Sequence, residues 1–250
     1  MRHFALTLAC LLFAAPLQAE DIPANIAMAV AAAERSAADR ERDAREKPAE
    51  LMAFTGVAPG MKVADVFGGG GYWSELFGRA VGTSGSVTLV NNSPYWSFSK
   101  DDLKTRFAEG RLKNVKPRVV ETRALDLGSG QHDLIVIFMS YHDLYWVEEE
   151  GGWPAIDADS FLKQLHTALK PGGRLLIVDH SAKAGTGKAP AQNLHRIDEA
   201  FAKQDITSHG FDLEKTWDGY RNSADDMTKM VFDPAIRGKT DRFTHLYRRR

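Results

Sequence analysis

Short apolar segments alternate with amphipathic ones along most of the chain after residue 60. The apolar segments are too short for buried helices and rich in Val, Ile and Leu, as is typical of strands buried on both faces. Five strands are predicted: Lys62–Phe67, Ser86–Asn91, Arg118–Thr122, Asp133–Met139 and Arg174–His180. Helices are predicted between most of them: Tyr72–Val81, Trp96–Ala108 and Ala158–Leu169. The alternation predicts an α/β fold with a doubly wound, mostly parallel, Rossmann-like sheet.

Both ends of the chain extend this pattern. After residue 180, a helix is predicted at Gln192–Thr207, followed by strands in "GFDLEKTW" and "RFTHLYR". Because no full crossover helix joins these two strands, we expect them to pair antiparallel, giving a seven-stranded sheet with an antiparallel last strand. Near the start, the Ala-, Glu- and Arg-rich segment Ile26–Glu46 predicts one N-terminal helix, interpreted as solvated. A shorter helix, Ala49–Thr55, leads into the first strand.

The first 19 residues have the order of a secretory signal peptide. Arg2 precedes the apolar run Phe4–Ala15, and small residues follow up to Ala19. The run is shorter than the roughly 20 apolar residues of a membrane-spanning helix. We expect cleavage after Ala19 and export, to the periplasm in a Gram-negative source, without stable membrane insertion. The predicted divisions are a signal peptide (1–19), an N-terminal helical extension (20–56) and the α/β domain (57–250).

Composition argues against several classes of function. The 250 residues carry a formal net charge of -1 and only the C-terminal "RRR" is locally basic, so no nucleic-acid partner is expected. Cys10, the one cysteine, lies in the predicted signal peptide, so the mature chain would have neither disulfides nor thiolate ligands. Imidazoles and carboxylates could bind a metal, but no H-E-x-x-H spacing occurs and no metal is predicted.

Four consecutive glycines, Gly68–Gly71, stand between the first predicted strand and a helix. Glycine is favoured where a side chain would clash or where φ is positive, so a tight turn is one interpretation. The dinucleotide pattern G-x-G-x-x-G fits poorly, because Phe67 stands where its first glycine would be. A P-loop is excluded because Tyr72 and Trp73 follow the glycines instead of Lys and Ser or Thr. The other interpretation is a ligand held against the backbone.

Several segments together resemble class I S-adenosylmethionine-dependent methyltransferases, and more closely a group of exported predicted methyltransferases with similar ends. The resemblance rests on Asp65 with Gly69 and Gly71, and on "LDL", "YHDLY", "ALKPGGRLLIVDH" and "HRID" further along. It covers the chain from about Glu34 to the C-terminus. It implies an enzyme that transfers a methyl group from S-adenosylmethionine to a small molecule or an envelope component.

The resemblance also implies how the cofactor would be held. Gly69 and Gly71 would let the backbone approach the methionyl part, whose ammonium group Asp65 would bind. Asp126 would pair with the adenine amino group. Asn91 stands where related enzymes usually have Asp or Glu for the ribose hydroxyls. The predicted cofactor contacts are Asp65, Phe67, Gly69, Gly71, Asn91, Asp126, Leu127 and Tyr141.

Catalytic candidates follow from topology. Strands four and five end in "SYHDLY" and "VDHSA", and ligands of open α/β sheets lie beyond the carboxyl ends of strands. Methyl transfer depends chiefly on alignment of the two reactants, but an oxygen or nitrogen acceptor could also need a base. His142, beside Asp143, is the first candidate and His195 the second. Each of them could instead form only structural hydrogen bonds.

A second function stays open. The chain could be an exported ligand-binding protein that keeps the fold without catalysis, which the departures at Asn91 and Phe67 favour. The glycines, Asp65 and Asp126 favour the enzyme.

Overall fold

The computed structural model describes residues 22–250, so the predicted signal peptide lies outside the described residues. One sheet of seven strands has the order β3-β2-β1-β4-β5-β7-β6. The strands are β1 (Lys62–Val66), β2 (Ser86–Asn91), β3 (Val115–Val119), β4 (His132–Phe138), β5 (Leu169–His180), β6 (Phe211–Thr216) and β7 (Arg242–Arg249). Strands β1 to β5 pair in parallel, whereas β7 is antiparallel to both neighbours. The predicted α/β sheet with an antiparallel last strand is confirmed.

Eight α-helices surround this sheet within residues 22–250. They are α1 (Ala24–Ala31), α2 (Ala37–Glu46), α3 (Pro48–Thr55), α4 (Tyr72–Val81), α5 (Ser93–Arg106), α6 (Ala158–Ala168), α7 (Pro190–Leu194) and α8 (Glu199–Ser208). Short 3-10 turns occur at Ala108–Gly110 and His142–Tyr145. In the same residues, no helix combines the length and the apolar character needed to cross a bilayer.

Two predicted single helices are in fact pairs. The N-terminal one is broken before α2, where the Ser36 hydroxyl accepts a hydrogen bond from the Asp39 N–H and so starts a new helix. The one predicted after residue 192 is broken at His195, whose φ of 52° ends α7, and it resumes at Asp198, which caps α8. Both breaks depend on capping chemistry that an overall helical composition hides.

The sheet is covered on both faces, as its uniformly apolar strands predict. Successive residues of a strand point to opposite faces. Ile135 and Ile137 of β4 therefore belong to one buried cluster, with α6 and α8, while Leu134 and Val136 belong to the other, with α1, α3 and α4. The site at the end of the strands rests on a core that is packed on both faces of the sheet.

The N-terminal helices are part of this packing, so the interpretation of a solvated helix is wrong. Ile26 of α1 and Leu51 of α3 are fully buried in the second cluster. Arg35, just before α2, is 2% exposed and pairs with Asp43 at 2.6 Å. Helix α2 is thereby fixed across the carboxyl edge of the sheet, where it contributes a wall to the first cavity described below.

Candidate functional site

The glycine loop between β1 and α4 needs its glycines for different reasons. A Cβ added at Gly68 would lie 2.7 Å from Asp65 Oδ2, so no side chain fits there. Gly69 and Gly71 have φ of 53° and 81°, in the left-handed region that glycine tolerates best. A Cβ at Gly69 would meet nothing within 4 Å. Gly69 therefore faces open space, as a backbone that receives a ligand should.

Asn91, at the end of β2, holds this loop. Its side-chain Oδ1 accepts a hydrogen bond from the Gly69 N–H at 3.0 Å, and its Nδ2 donates to the Gly69 carbonyl at 3.1 Å. The same Nδ2 also lies 3.1 Å from the Ser99 hydroxyl, and the residue is fully buried. An amide can donate and accept at once, which a carboxylate cannot do. The structure thus uses Asn91 to clamp Gly69.

Asp65 ends β1 behind the glycines. Its carboxylate is 1% exposed and accepts a hydrogen bond from the Ser74 hydroxyl at 2.6 Å. Burial raises the pKa of Asp65 to about 6, although the bond to Ser74 opposes the rise. A buried carboxyl with so few partners would be stabilised in its charged form by a cationic ligand group.

A cavity of about 630 Å³ lies between the glycine loop, α2 and α5. Arg106 of α5 closes one side: it pairs with Asp39 of α2, contacts Glu75 of α4 at 2.7 Å and donates to the Gly70 carbonyl at 2.7 Å. Arg42 of α2 also lines the cavity and stacks on the Tyr72 ring, 4.1 Å from its centre. This first cavity is therefore strongly polar along its α2 wall.

A second cavity, of about 520 Å³, adjoins the first, and Tyr95 and Met139 line both. Its walls are mostly aromatic, formed by Phe98, Trp146, Trp153 and Phe232. Its polar groups come from the carboxyl ends of β4 and β5 and from the end of α7: His142, Asp143, His180 and His195. The two cavities together offer a polar compartment and an aromatic one that meet at Tyr95.

His142 lies between two carboxylates. Its Nδ1 is 2.7 Å from Asp179 Oδ1, and its Nε2 is 3.2 Å from Asp143 Oδ1. Burial by itself would lower the pKa of His142, but the two carboxylates together raise it to about 10. The same imidazolium holds the pKa of Asp143 well below its usual range against the effect of burial. With these neighbours alone, His142 is protonated near neutral pH and has no free nitrogen with which to act as a base.

His195 occupies a different position in the same cavity. Its ring stands between Trp146 and Phe232, with centroid distances of 5.2 and 5.0 Å. Its Nδ1 is 3.7 Å from Asp143 Oδ1, beyond hydrogen-bond distance. His195 is therefore the better placed of the two predicted bases.

Several predicted residues are not brought to these cavities. Asp126 is exposed, pairs with Arg118 and lines a separate cavity, while Leu127 belongs to the core. Tyr141 is fully buried and donates its hydroxyl hydrogen bond to Asp205 of α8. By contrast Phe67, with a φ of 57°, lines the first cavity and stacks 5.2 Å from Tyr95.

Sequence reasoning missed residues that come from outside the strand ends. Asp39 and Arg42 of α2 line the first cavity, and Ser36, whose capping spacing to Asp39 is visible in the sequence, could have shown where α2 begins. Nothing in the sequence around Tyr95 distinguishes it from the other aromatic side chains. Nothing in the sequence indicates that Arg106 would reach Gly70.

Comparison with known proteins agrees with this architecture. No family model matches the chain. A ubiquinone/menaquinone biosynthesis C-methyltransferase, UbiE, of Haemophilus ducreyi is 31% identical over 128 residues, which is 51% of this chain and 44% of that protein. UbiE of a Shewanella species is 25% identical over 175 residues, 70% of this chain and 62% of that protein. The chain thus spans from under half to about six tenths of these relatives.

Solved structures match over more of the chain. A SAM-dependent methyltransferase from Aquifex aeolicus covers 82% of this chain and 89% of its own length, with a TM-score of 0.57 and 18% identity. One from Mesorhizobium loti covers 82% and 98%, with a TM-score of 0.56 and 14% identity. The fold is that of class I methyltransferases. At these identities the likeness concerns the fold alone, so the chemistry of a class I methyltransferase site has to be argued from this chain's own residues.

The clamp on Gly69 leads to a prediction about stability. Changing Asn91 to Asp should destabilise the folded protein. The carboxylate cannot donate a hydrogen bond to the Gly69 carbonyl, and its negative charge would face that carbonyl oxygen without a donor between them. Urea unfolding should show a loss of about 1–3 kcal/mol or more in the free energy of unfolding.

The neighbouring residue supplies a matched control. Asn92 caps α5 by accepting from the Tyr95 N–H, a role that Asp fills equally well, so Asn92→Asp should stay within about 0.5 kcal/mol of wild type. An Asn91→Asp variant as stable as wild type would show that the clamp contributes little.

Proposed function

We propose that the chain is an S-adenosylmethionine-dependent methyltransferase acting on a small molecule or envelope component with a planar, largely apolar body. The observation that carries the proposal is the pair of adjoining cavities, one beside the glycine loop and one lined by aromatic rings, that share Tyr95 and Met139. The fold and the methyltransferase relatives support it. The relatives' names refer to quinone biosynthesis, and aromatic walls suit an acceptor ring of that kind.

The first cavity fits the cofactor in part. Its volume is in the usual range for small ligands, and Gly69 presents bare backbone to it. Asp65 would hold the ammonium group, and the first free N–H groups of α4 would face the carboxylate. Bound S-adenosylmethionine supplies an electrophilic methyl group. The side chain of Asn91 is already hydrogen-bonded to the Gly69 backbone, so the ribose hydroxyls would have to bind residues other than Asn91.

The residues of the second cavity would position the acceptor. The rings of Trp146, Trp153 and Phe232 exclude water and fix the plane of an acceptor ring, and alignment of this kind supplies much of the acceleration of a displacement. The acceptor's polar group would lie at the histidine end. Since both nitrogens of His142 are already engaged, His195 is the imidazole that we assign to hold the acceptor's proton.

Cofactor binding is tested at Gly69. Changing it to Val places a branched side chain in the open space beside the loop and should abolish binding of S-adenosylmethionine in calorimetry. The left-handed φ adds about 1–2 kcal/mol of strain, which should leave the protein folded.

Gly130 gives a control with the same backbone. Its φ is 58°, a Cβ there would also meet nothing within 4 Å, and it lies before β4 at the opposite edge of the sheet. Gly130→Val should therefore carry the same strain and bind the cofactor normally. If calorimetry of folded wild-type protein shows no binding heat at millimolar S-adenosylmethionine, the cofactor assignment is refuted. Binding without any turnover would favour the ligand-binding alternative.

Cofactor affinity should depend on pH through Asp65. Below its pKa of about 6 this carboxyl is neutral and loses its attraction for an ammonium group. Affinity measured by calorimetry should therefore be about tenfold weaker at pH 5 than at pH 7. Asp65→Asn should bind weakly at both values. Equal affinity of the wild type at the two pH values would remove Asp65 from the contact with the ammonium group.

We also propose that the protein is exported and belongs to the exported group that it resembles. The support is the order of a basic residue, an apolar run and small residues up to Ala19. Mass spectrometry of protein expressed in a Gram-negative host should give an N-terminus at Glu20. Replacing Leu11 and Leu12 with Asp should prevent cleavage, because the export machinery binds the apolar run. An intact Met1 on wild-type protein in the soluble fraction would contradict export.

A further inference from the structure

We propose that His142, Asp143 and His195 form a binding site for one divalent transition-metal cation at the polar end of the second cavity. Each of the three residues offers one ligand atom, and these atoms all lie within 4.8 Å of one another. His142 and Asp143 follow β4, whereas His195 ends α7, so the three ligands come from two separate segments.

The spacing of these atoms is close to that of a bound metal. Tetrahedral ligands at about 2.0–2.2 Å from Zn²⁺ stand roughly 3.3–3.6 Å from one another. Asp143 Oδ1 is 3.2 Å from His142 Nε2 and 3.7 Å from His195 Nδ1. Small side-chain movements are enough to bring the three ligand atoms to coordination distance.

The surrounding groups hold two of these ligands in binding orientation. Asp179 Oδ1 lies 2.7 Å from His142 Nδ1, and a carboxylate on this nitrogen leaves Nε2 as the metal-binding atom. Tyr95 donates to Asp143 Oδ2 at 2.8 Å, which leaves Oδ1 for the cation. Carboxylate–histidine–metal arrangements of this kind are typical of metal centres.

Charge supports the same interpretation. Asp179 is fully buried and Asp143 is 6% exposed. Across residues 22–250, neither forms an ion pair with a lysine or an arginine; imidazoles are their only cationic partners. Buried carboxylates are costly unless they are paired or coordinate a metal. A divalent cation would balance the two negative charges.

The type and number of the ligands indicate which cation would bind and what it would do there. Two imidazoles and one carboxylate favour Zn²⁺, Co²⁺ or Fe²⁺ over Mg²⁺ and Ca²⁺. Three protein ligands with an open position are typical of catalytic sites, and here the cluster faces the aromatic cavity. An acceptor hydroxyl bound at that position would ionise at lower pH, so the metal would replace His195 as the activating group. This last step rests on the proposed function; the metal site itself does not.

The test is metal titration of the full chain, without a tag and freed of metal with a chelator. Co²⁺ should give visible absorption bands at one equivalent, Zn²⁺ should displace it, and Zn²⁺ should raise the melting temperature. His195→Gln, at a partly exposed position, should weaken Zn²⁺ binding by more than about tenfold and abolish the thermal shift. Asp179→Asn, which replaces the carboxylate on His142 Nδ1 with a neutral amide, should cost about 10–100-fold in affinity.

The chain offers a matched control outside this cluster. His209 also stands beside two carboxylates, 2.7 Å from Asp159 and 3.6 Å from Asp205, but within residues 22–250 it is not part of a cluster whose ligand atoms all lie within 4.8 Å of one another. His209→Gln should bind Zn²⁺ as tightly as wild type.

Two results would overturn the proposal: no cobalt bands with folded wild type, or a His195→Gln variant that binds Zn²⁺ like wild type. Titration of the same preparations with S-adenosylmethionine separates the two proposals. Metal binding without cofactor binding would refute only the proposed methyltransferase function. Cofactor binding without metal binding would refute only the metal site.

Discussion

The buried carboxylate of Asp179 fixes the end of the sheet on which both cavities depend. It accepts hydrogen bonds from the backbone N–H groups of His142 and His180 and from the His142 ring, each at 2.7 Å. A side chain at the end of β5 thus sets the course of the chain leaving β4. The 3-10 turn that follows presents Asp143, whose backbone carbonyl accepts from the Trp153 indole at 3.1 Å. Loss of Asp179 would release the turn, the imidazole and an aromatic wall together.

Two residues that directly follow central strands have unusual backbone conformations. Phe67 after β1 and Met139 after β4 have φ of 57° and 56°, which non-glycine residues seldom adopt. Such conformations persist only where the surroundings enforce them, and they concentrate at functional sites. Here both residues line the first cavity, and Met139 also lines the second. The backbone strain at these two residues is what is expected where a functional site requires particular side-chain directions, even at a cost in local stability.

Much of the fold could be predicted from the sequence, because buried strands and amphipathic helices have recognisable patterns of apolar residues. The least accurate strand is β3, which begins at Val115 instead of Arg118. It lies at the sheet edge and contains Pro117, a residue tolerated there but absent from the usual strand pattern. Strand ends correctly indicated where His142 and Asp65 would lie. The hydrogen bonds of Asn91 could not be predicted, since they depend on how the folded loop presents Gly69, and Asp179 gave no sign of its bond to His142.

Tyr95 joins the two halves of the site physically. It stands in the first turns of α5, where Asn92 caps the helix, directly after the Asn91 clamp on the glycine loop. Its ring stacks on Phe67 at the first cavity, and its hydroxyl donates to Asp143 at the second. The ring plane and the hydroxyl cannot move independently, so a shift of the glycine loop would reach the carboxylate through one rigid side chain. Tyr95 therefore links the first cavity to the histidine end of the second through direct contacts.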